Sequence, residues 1–89
     1  MKLIFPDHAW EDYLWWQSAD RQTGLERVNA LIRAARRTPF KGLGKPEPLK
    51  GDLGGWWSRR ITDEHRFVYR VSGKGDGQGL EIAQLRYHY

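Results

Sequence analysis

The apolar residues of this chain change their period once, and that change limits what it can fold into. Leu25, Val28, Leu31, Ile32 and Ala35 recur at helical spacing, which lays one apolar stripe along a helix. From Trp56 onward the spacing becomes two, the repeat of a strand whose neighbours face opposite ways. A sequence patterned for one period does not sit stably in the other structure. From the second helix onward the chain therefore reads as a helical part followed by a β part.

Local signals set the boundaries. "KLIF" is a short first strand stopped by Pro6. Asp7 is placed to cap a first helix that runs to about Ser18, with Ala9, Tyr13 and Trp16 on its apolar side and Trp10 and Leu14 alongside. Asp20 is placed to cap the second helix. That helix ends near Arg37, because Thr38 precedes Pro39 and is pushed out of the α region. Its other face carries Arg27, Arg33 and Arg36. The two helices are expected to pair antiparallel along one apolar seam.

Residues 38–55 hold three prolines and five glycines and read as an irregular loop, long enough to carry function. Then "WWSRRIT" is a strand, "DEH" a tight turn and "RFVYRV" a second strand. In that strand Phe67, Tyr69 and Val71 share one face, and Arg66, Val68 and Arg70 the other. "SGKGDGQG" is a turn, and "LEIAQLRYHY" a last strand reaching residue 89. The order is β-α-α-β-β-β. The class is α+β, a small twisted and mainly antiparallel sheet packed against two antiparallel helices.

At 89 residues this is expected to be a single domain spanning 1–89. So small a core needs large side chains, and five Trp, four Tyr and three Phe supply them. With no cysteine, disulfides, thiolate metal sites and thiol nucleophiles are excluded. The three histidines, His8, His65 and His88, are scattered without metal-ligand spacing, so neither a metal nor a cofactor is expected. No run of apolar residues reads as a signal peptide or a membrane span, and a cytoplasmic protein is expected. The net charge is +4, and ten of the fifteen basic residues are arginine. That balance suits nucleic acid or an acidic protein as partner.

Several segments carry a choice. The glycines of residues 72–79 miss both phosphate-loop spacings and read as a mobile hairpin turn. The pairs Trp15-Trp16 and Trp56-Trp57 can fill a core or stack bases, and in a strand one of Trp56 and Trp57 must point away from the core. In "KPEPLK" the prolines stiffen a loop around Glu47, flanked by Lys45 and Lys50. Glu47 is either a solvated acid or a positioned general base. Arg59, Arg60 and Arg66 form either ordinary surface charge, paired with Asp63 or Glu64, or a phosphate-clamping face. The final Arg86, Tyr87, His88 and Tyr89 are unusual side chains for a terminus, which ordinarily frays. A last strand running into them, with Tyr87 packed, would hold this end down and let His88 and Tyr89 project from a sheet edge. One chemistry ties these residues together. Metal-free RNA cleavage needs a base for the 2′-hydroxyl, a cation for the charged phosphorane and an acid for the 5′-oxygen. Glu47, Arg66 and His88 can fill those roles.

The stretch "RRTPFKGLGKPEPLKGDLGGWWSRRITDEHRFVYRV" with the closing "RYHY" resembles the YoeB/Txe toxins of the RelE/ParE superfamily. The likeness runs over nearly the whole chain, from "MKLIF" and "YLWWQ" onward. The resemblance implies a microbial-ribonuclease-like α+β fold and a ribosome-dependent mRNA endonuclease that leaves a 2′,3′-cyclic phosphate. It implies a YefM-like antitoxin as partner, the ribosomal A site and mRNA as target, a homodimer, and operator DNA bound only with the antitoxin. By the resemblance Glu47 is the general base, Arg66 the transition-state cation, His88 the general acid, and Tyr89 a positioning or catalytic group. Lys50, Arg59 and Glu64 match positions near the substrate, with Arg60 and Arg86 as added phosphate contacts. The "SGKGDGQG" turn is longer than the family pattern leads one to expect, yet it spares every matched residue. Two other activities stand against this one: a non-catalytic co-repressor using the same basic face, and a gyrase inhibitor of the ParE kind, which has no use for a terminal "RYHY".

Overall fold

The apolar stripe of the second helix does what its spacing demands. Val28, Leu31, Ile32 and Ala35 are all buried, and Leu25 is half-buried at the edge of the same face. A computed structural model describes residues 1–18 and 20–88. Its elements are β1 (Lys2–Ile4), α1 (Asp7–Trp16), α2 (Gln22–Arg37), β2 (Glu47–Pro48), β3 (Trp57–Arg60), β4 (Arg66–Ser72) and β5 (Gly79–Gln84). Single 3-10 turns cover Gly51–Leu53 and Gly75–Gly77.

The strands form one sheet in the order β1-β5-β4-β3-β2. The β2–β3, β3–β4 and β4–β5 pairs are antiparallel, and β1 joins β5 in parallel. This is the expected α+β layering with one strand more than predicted. The loop assigned to residues 38–55 contains β2, because Glu47 precedes a proline and is held extended. Two prolines lack donors, so such a segment can pair only at a sheet edge. There it sits against β3, with Glu47 opposite Ser58.

Both predicted caps are displaced. Pro6 is the N-cap of α1, and Asp7 is its first helical residue. Pro6 has an extended ψ of 161° and the helix starts directly after it. Arg21, not Asp20, precedes α2. Its guanidinium bonds the Ser18 hydroxyl and lies 3.8 Å from the Trp15 ring centre, which fixes where the chain turns into the helix. Helix α1 also ends two residues early, at Trp16.

The helices run antiparallel. The Tyr13 hydroxyl donates to Asn29 Oδ1 at 2.8 Å, and one turn later Trp16 lies over Gly24. Trp10 and Leu14 remain exposed, because the buried side of α1 is Ala9, Asp12 and Trp16. The core lies between these helices and one sheet face, where Phe67, Tyr69, Leu80, Ile82 and Leu85 are fully buried. Each such side chain contributes about 1.5–3 kcal/mol by leaving water.

One register shift matters for the site. Val68 faces Gln84 but Tyr69 faces Ile82, so β5 carries one extra residue at Ala83. The bulge reverses the in–out alternation of β5. Leu85 thereby enters the core, and Gln84 joins Val68 on the other face.

A methyl group at Gly24 would stand 2.2 Å from the Trp16 ring. Alanine is the better helix former by about 1 kcal/mol, yet Gly24→Ala is expected to destabilise the protein by about 1–3 kcal/mol through overpacking. Urea unfolding checks the sign.

Candidate functional site

The sheet face away from the helices collects the charged residues. Glu47 faces Ser58 across β2–β3, and Arg60 faces Arg66 across β3–β4. Ser58 and Arg60 share a face because they are two apart on one strand. Lys45, Glu47, Ser58, Arg60, Arg66 and His88 line a single polar cleft of about 300 Å³. Like charges directly opposite on neighbouring strands disfavour the pairing. Arg60 and Arg66 tolerate it with an acid or carbonyls beside each. Asp63 lies 3.7 Å from Arg60, and the carbonyls of Thr62, Asp63 and His65 accept from Arg66 Nη1. Those bonds grip Arg66 by one corner, and Nε and Nη2 make no hydrogen bond among the described residues. A site with three cations around one carboxylate is built to accept an anion.

The carboxylate reaches the cleft through a strained bend. Gly44 and Lys45 both have positive φ, +87° and +54°. A side chain at Gly44 would collide with Leu31 at 2.5 Å. The Gly44 carbonyl accepts from Arg60 N–H at 2.9 Å, so the bend is pinned to β3.

Arg59 does not belong to this cleft, and its assignment as a substrate contact is corrected. Alternation turns it to the core face, where it is 0 % exposed. Its guanidinium donates to the carbonyls of Leu43, Thr38 and Lys41 at 2.8, 2.6 and 3.0 Å, and its Nε to the Tyr69 hydroxyl at 2.9 Å. Tyr69 in turn donates to the Pro39 carbonyl at 2.6 Å. Burial raises the Tyr69 phenol above its usual range, and the Arg59 guanidinium pulls the other way. Lys50 and Glu64 are exposed outside the cleft lining, and half-buried Arg86 lies 4.1 Å from the Trp15 ring centre. The tryptophans divide as alternation requires. Trp57 packs on the core and on Phe40, while Trp56 lies under Arg70.

His88 arrives by a route that strand patterning did not foresee. Strand β5 stops at Gln84 and does not run to the chain end. Side chains then take over from the sheet. Leu85 N–H donates to Asp12 Oδ2 at 3.0 Å, and Trp16 Nε1 donates to the Leu85 carbonyl at 2.8 Å. Gln84 Nε2 donates to the carbonyls of Arg86 and Tyr87. Tyr87 has φ +61°, a left-handed conformation that costs a residue with a side chain about 1–3 kcal/mol. Its N–H donates to His65 Nδ1 at 2.8 Å and its carbonyl accepts from Arg66 N–H at 3.1 Å. The Tyr87 ring itself is 58 % exposed, so backbone bonds and not its packing hold the end. His88 then lies in the cleft with Nε2 3.2 Å from the Asp63 carbonyl. Tyr89 lies outside the described residues.

Sequence reasoning missed Ser58, Asp12, Trp16, Gln84 and His65 as parts of this assembly. Ser58 could have been found only from the β2–β3 register. A lone acid on the apolar side of α1 was the available signal for Asp12. The long glycine turn between β4 and β5 sits at the far end of β4, about 20 Å from Arg66 by strand rise. A second, apolar cavity of about 220 Å³ lies beneath Trp10, between β1 and the helices, and offers only Arg33 and Arg36 as charged groups. No helix among the described residues is long and apolar enough to cross a membrane.

Replacing Arg59 by Met leaves three carbonyls and a phenol without their donor. Arg59→Met is expected to cost about 2–4 kcal/mol of stability, against less than about 0.5 kcal/mol for exposed Arg60→Met. Equal urea midpoints for the two would return Arg59 to the surface role.

Comparisons with known proteins agree with the fold. A family model described as a YoeB-like toxin of a bacterial type II toxin-antitoxin system matches residues 5–89. The chain is 54 % identical to Toxin YoeB of Escherichia coli K12, with all of both chains covered. Among solved structures, a YoeB/ParE toxin from Agrobacterium tumefaciens is 62 % identical, with all of both chains covered and a TM-score of 0.94. YoeB of Staphylococcus aureus is 38 % identical over all of this chain and 98 % of its own. It is known as a dimer, with a TM-score of 0.85, and in complex with YefM, with a TM-score of 0.84.

Proposed function

Because the chain belongs to the YoeB-like toxin family of bacterial type II toxin–antitoxin systems, we propose that it is the toxin of such a pair and acts as a ribosome-dependent mRNA endoribonuclease. The observation that carries the reading is the cleft in which Glu47, Arg66 and His88 come together with Lys45 and Arg60. A base, a cation and an acid around one anion-sized space are what 2′-hydroxyl attack on a phosphodiester requires.

In this reaction Glu47 takes the proton of the 2′-hydroxyl as its oxygen attacks the adjacent phosphorus. Arg66, held at one corner by turn carbonyls, uses its remaining donors on the phosphoryl oxygens as charge builds there. His88 gives a proton to the departing 5′-oxygen. The products are a 2′,3′-cyclic phosphate and a 5′-hydroxyl, so protons and charge balance without a hydrolytic water. Tyr89, next in sequence to His88, supplies a positioning or catalytic group. Arg60 contacts the neighbouring phosphate, and Lys50, Glu64 and Arg86 contact RNA beyond the cleft. Cleavage of translated mRNA in the ribosomal A site inhibits translation.

The YoeB–YefM complex of the Staphylococcus aureus relative supports a YefM-like antitoxin as partner, and its YoeB dimer supports a homodimer. An acidic antitoxin segment that folds on binding would suit the basic cleft. The toxin–antitoxin complex would bind the operator and repress its own operon. A bacterial cytoplasmic location, with residues 1–89 acting as one toxin domain, follows from such a target.

Primer extension on a defined mRNA with purified ribosomes tests the reading. Glu47→Gln and His88→Ala are each expected to slow cutting about 10²–10⁴-fold, and Arg66→Ala about 10²–10³-fold. Each should keep the wild-type far-UV spectrum. Undiminished cutting by folded Arg66→Ala would remove the assigned role of that cation.

Deleting residues 88 and 89 takes away the acid and leaves the hydrogen bonds that hold residues 84–87 in place. Loss of cutting by about 10²-fold or more, with stability changed by less than about 1 kcal/mol, is expected from parallel cleavage and urea titrations.

A further inference from the structure

We propose that His65 is a positioning residue whose unprotonated Nδ1 docks the C-terminal tail through Tyr87 and so sets His88 in the cleft. None of the chemistry above uses this ring, yet its surroundings are specific. It is buried at the end of the β3–β4 turn, with Trp15 and Trp16 on one side at 5.5 and 5.2 Å between ring centres and Tyr87 at 5.4 Å. The turn that carries it is closed by its own backbone. Its N–H donates to Thr62 Oγ1 at 3.1 Å and its carbonyl accepts from Ile61 N–H at 3.0 Å. The backbone of residue 65 is thus held by the turn itself, and its ring by the two tryptophans, without a bond to the tail.

The tail has one place where the chain must be forced. A left-handed residue with a side chain persists only where its neighbours over-determine it. Tyr87 is that residue, and its two backbone groups are taken by His65 and Arg66, adjacent in sequence. Arg66 is the cation of the cleft, and residue 88 follows directly on Tyr87. Position 65 thus couples the geometry of the acid to the geometry of the cation.

The bond from Tyr87 N–H needs a lone pair on Nδ1, hence a neutral ring. A proton added to Nδ1 sets two donors face to face, and the tail contact is lost. The charged groups around the ring are Glu64 on its own turn, Asp12 on α1, and Arg86 and His88 on the tail. Burial lowers the affinity of His65 for a proton most. Glu64 and Asp12 oppose that effect, and Arg86 and His88 reinforce it. A group depressed in this way favours the folded, docked state at pH above the ordinary histidine value of about 6.5. That contribution is lost as pH falls below it, because the unfolded or undocked state then binds the extra proton. The dock is thus acid-sensitive, although His88 in its proposed role works protonated.

The test reads the dock without relying on catalysis. Amide hydrogen exchange of Tyr87, followed by NMR in the full chain, is expected to show protection at pH 7.5 that falls about tenfold as pH drops toward 5. Protection of Leu31 serves as the reference for the fold. His65→Phe keeps the ring packing and loses the acceptor, so Tyr87 protection is expected to fall about tenfold at every pH. His65→Asn places an amide oxygen near the Nδ1 position and does not titrate. It is expected to restore protection and abolish the acid-induced release. Equal Tyr87 protection in wild type at both pH values, or acid release persisting in His65→Asn, would overturn the proposal. So would wild-type protection in His65→Phe. Ribosomal cleavage in the same series forms a second arm, which rests on the ribonuclease reading: His65→Phe should lower the rate about tenfold and His65→Asn should recover it. Tyr87 release without any wild-type cutting would leave the dock standing and sink the nuclease. Cutting unaffected by a released tail would overturn the positioning role.

Discussion

A guanidinium with no contact to water sits at the centre of this structure, and much of the fold is arranged to satisfy it. Arg59 has five N–H donors and cannot give up its charge. The segment after α2 has no regular structure to occupy its carbonyls. The two needs meet, because Thr38, Lys41 and Leu43 point their oxygens at Arg59 and Tyr69 adds its hydroxyl. The loop is thereby wrapped onto the core face of β3 and β4. Its continuation through Gly44 and Lys45 becomes the edge strand β2, whose Glu47 lines the cleft on the opposite face of the sheet. A buried cation on one face fixes the placement of an acid on the other.

The other end of the cleft is assembled on the same plan, with side chains in place of a strand partner. Beyond Gln84 the β5 ladder stops, and buried backbone groups left unpaired would be costly. Asp12 and Trp16 from α1 take both groups of Leu85, while His65 and Arg66 take both groups of Tyr87. The Ala83 bulge makes this possible by turning Leu85 inward to meet α1. Residues 85–88 are thus held by contacts to three separate elements, although the strand itself does not reach them.

Much of this was legible from residue order. The stripe of α2, the alternation of β4 and the extended Glu47 before Pro48 all follow from local rules, and each stands where those rules put it. The cleft members Glu47, Arg66 and His88 were named from chemical type and motif. Arg59 was misread for a physical reason. Alternation along "WSRRI" requires Arg59 and Arg60 to face opposite ways, but it does not say which of two arginines is buried. A free arginine is ordinarily expected outside. The helix caps failed for a similar reason, since Pro6 and the Arg21–Trp15 contact override the preference of a nearby aspartate.

The division between sequence and structure follows the range of the interactions involved. Period, proline and turn chemistry act over a few residues, so the amino-acid order alone determined two helices, an antiparallel β half and a charged set able to do acid–base chemistry. Register, the β5 bulge and the identity of the buried arginine depend on partners up to 73 residues away, as in the Asp12–Leu85 bond. Only the folded chain decided them. The long-range pairs also set His88 in the wall of the cleft, because Leu85 and Tyr87 are held by Asp12, Trp16, His65 and Arg66, partners that local pattern cannot reveal.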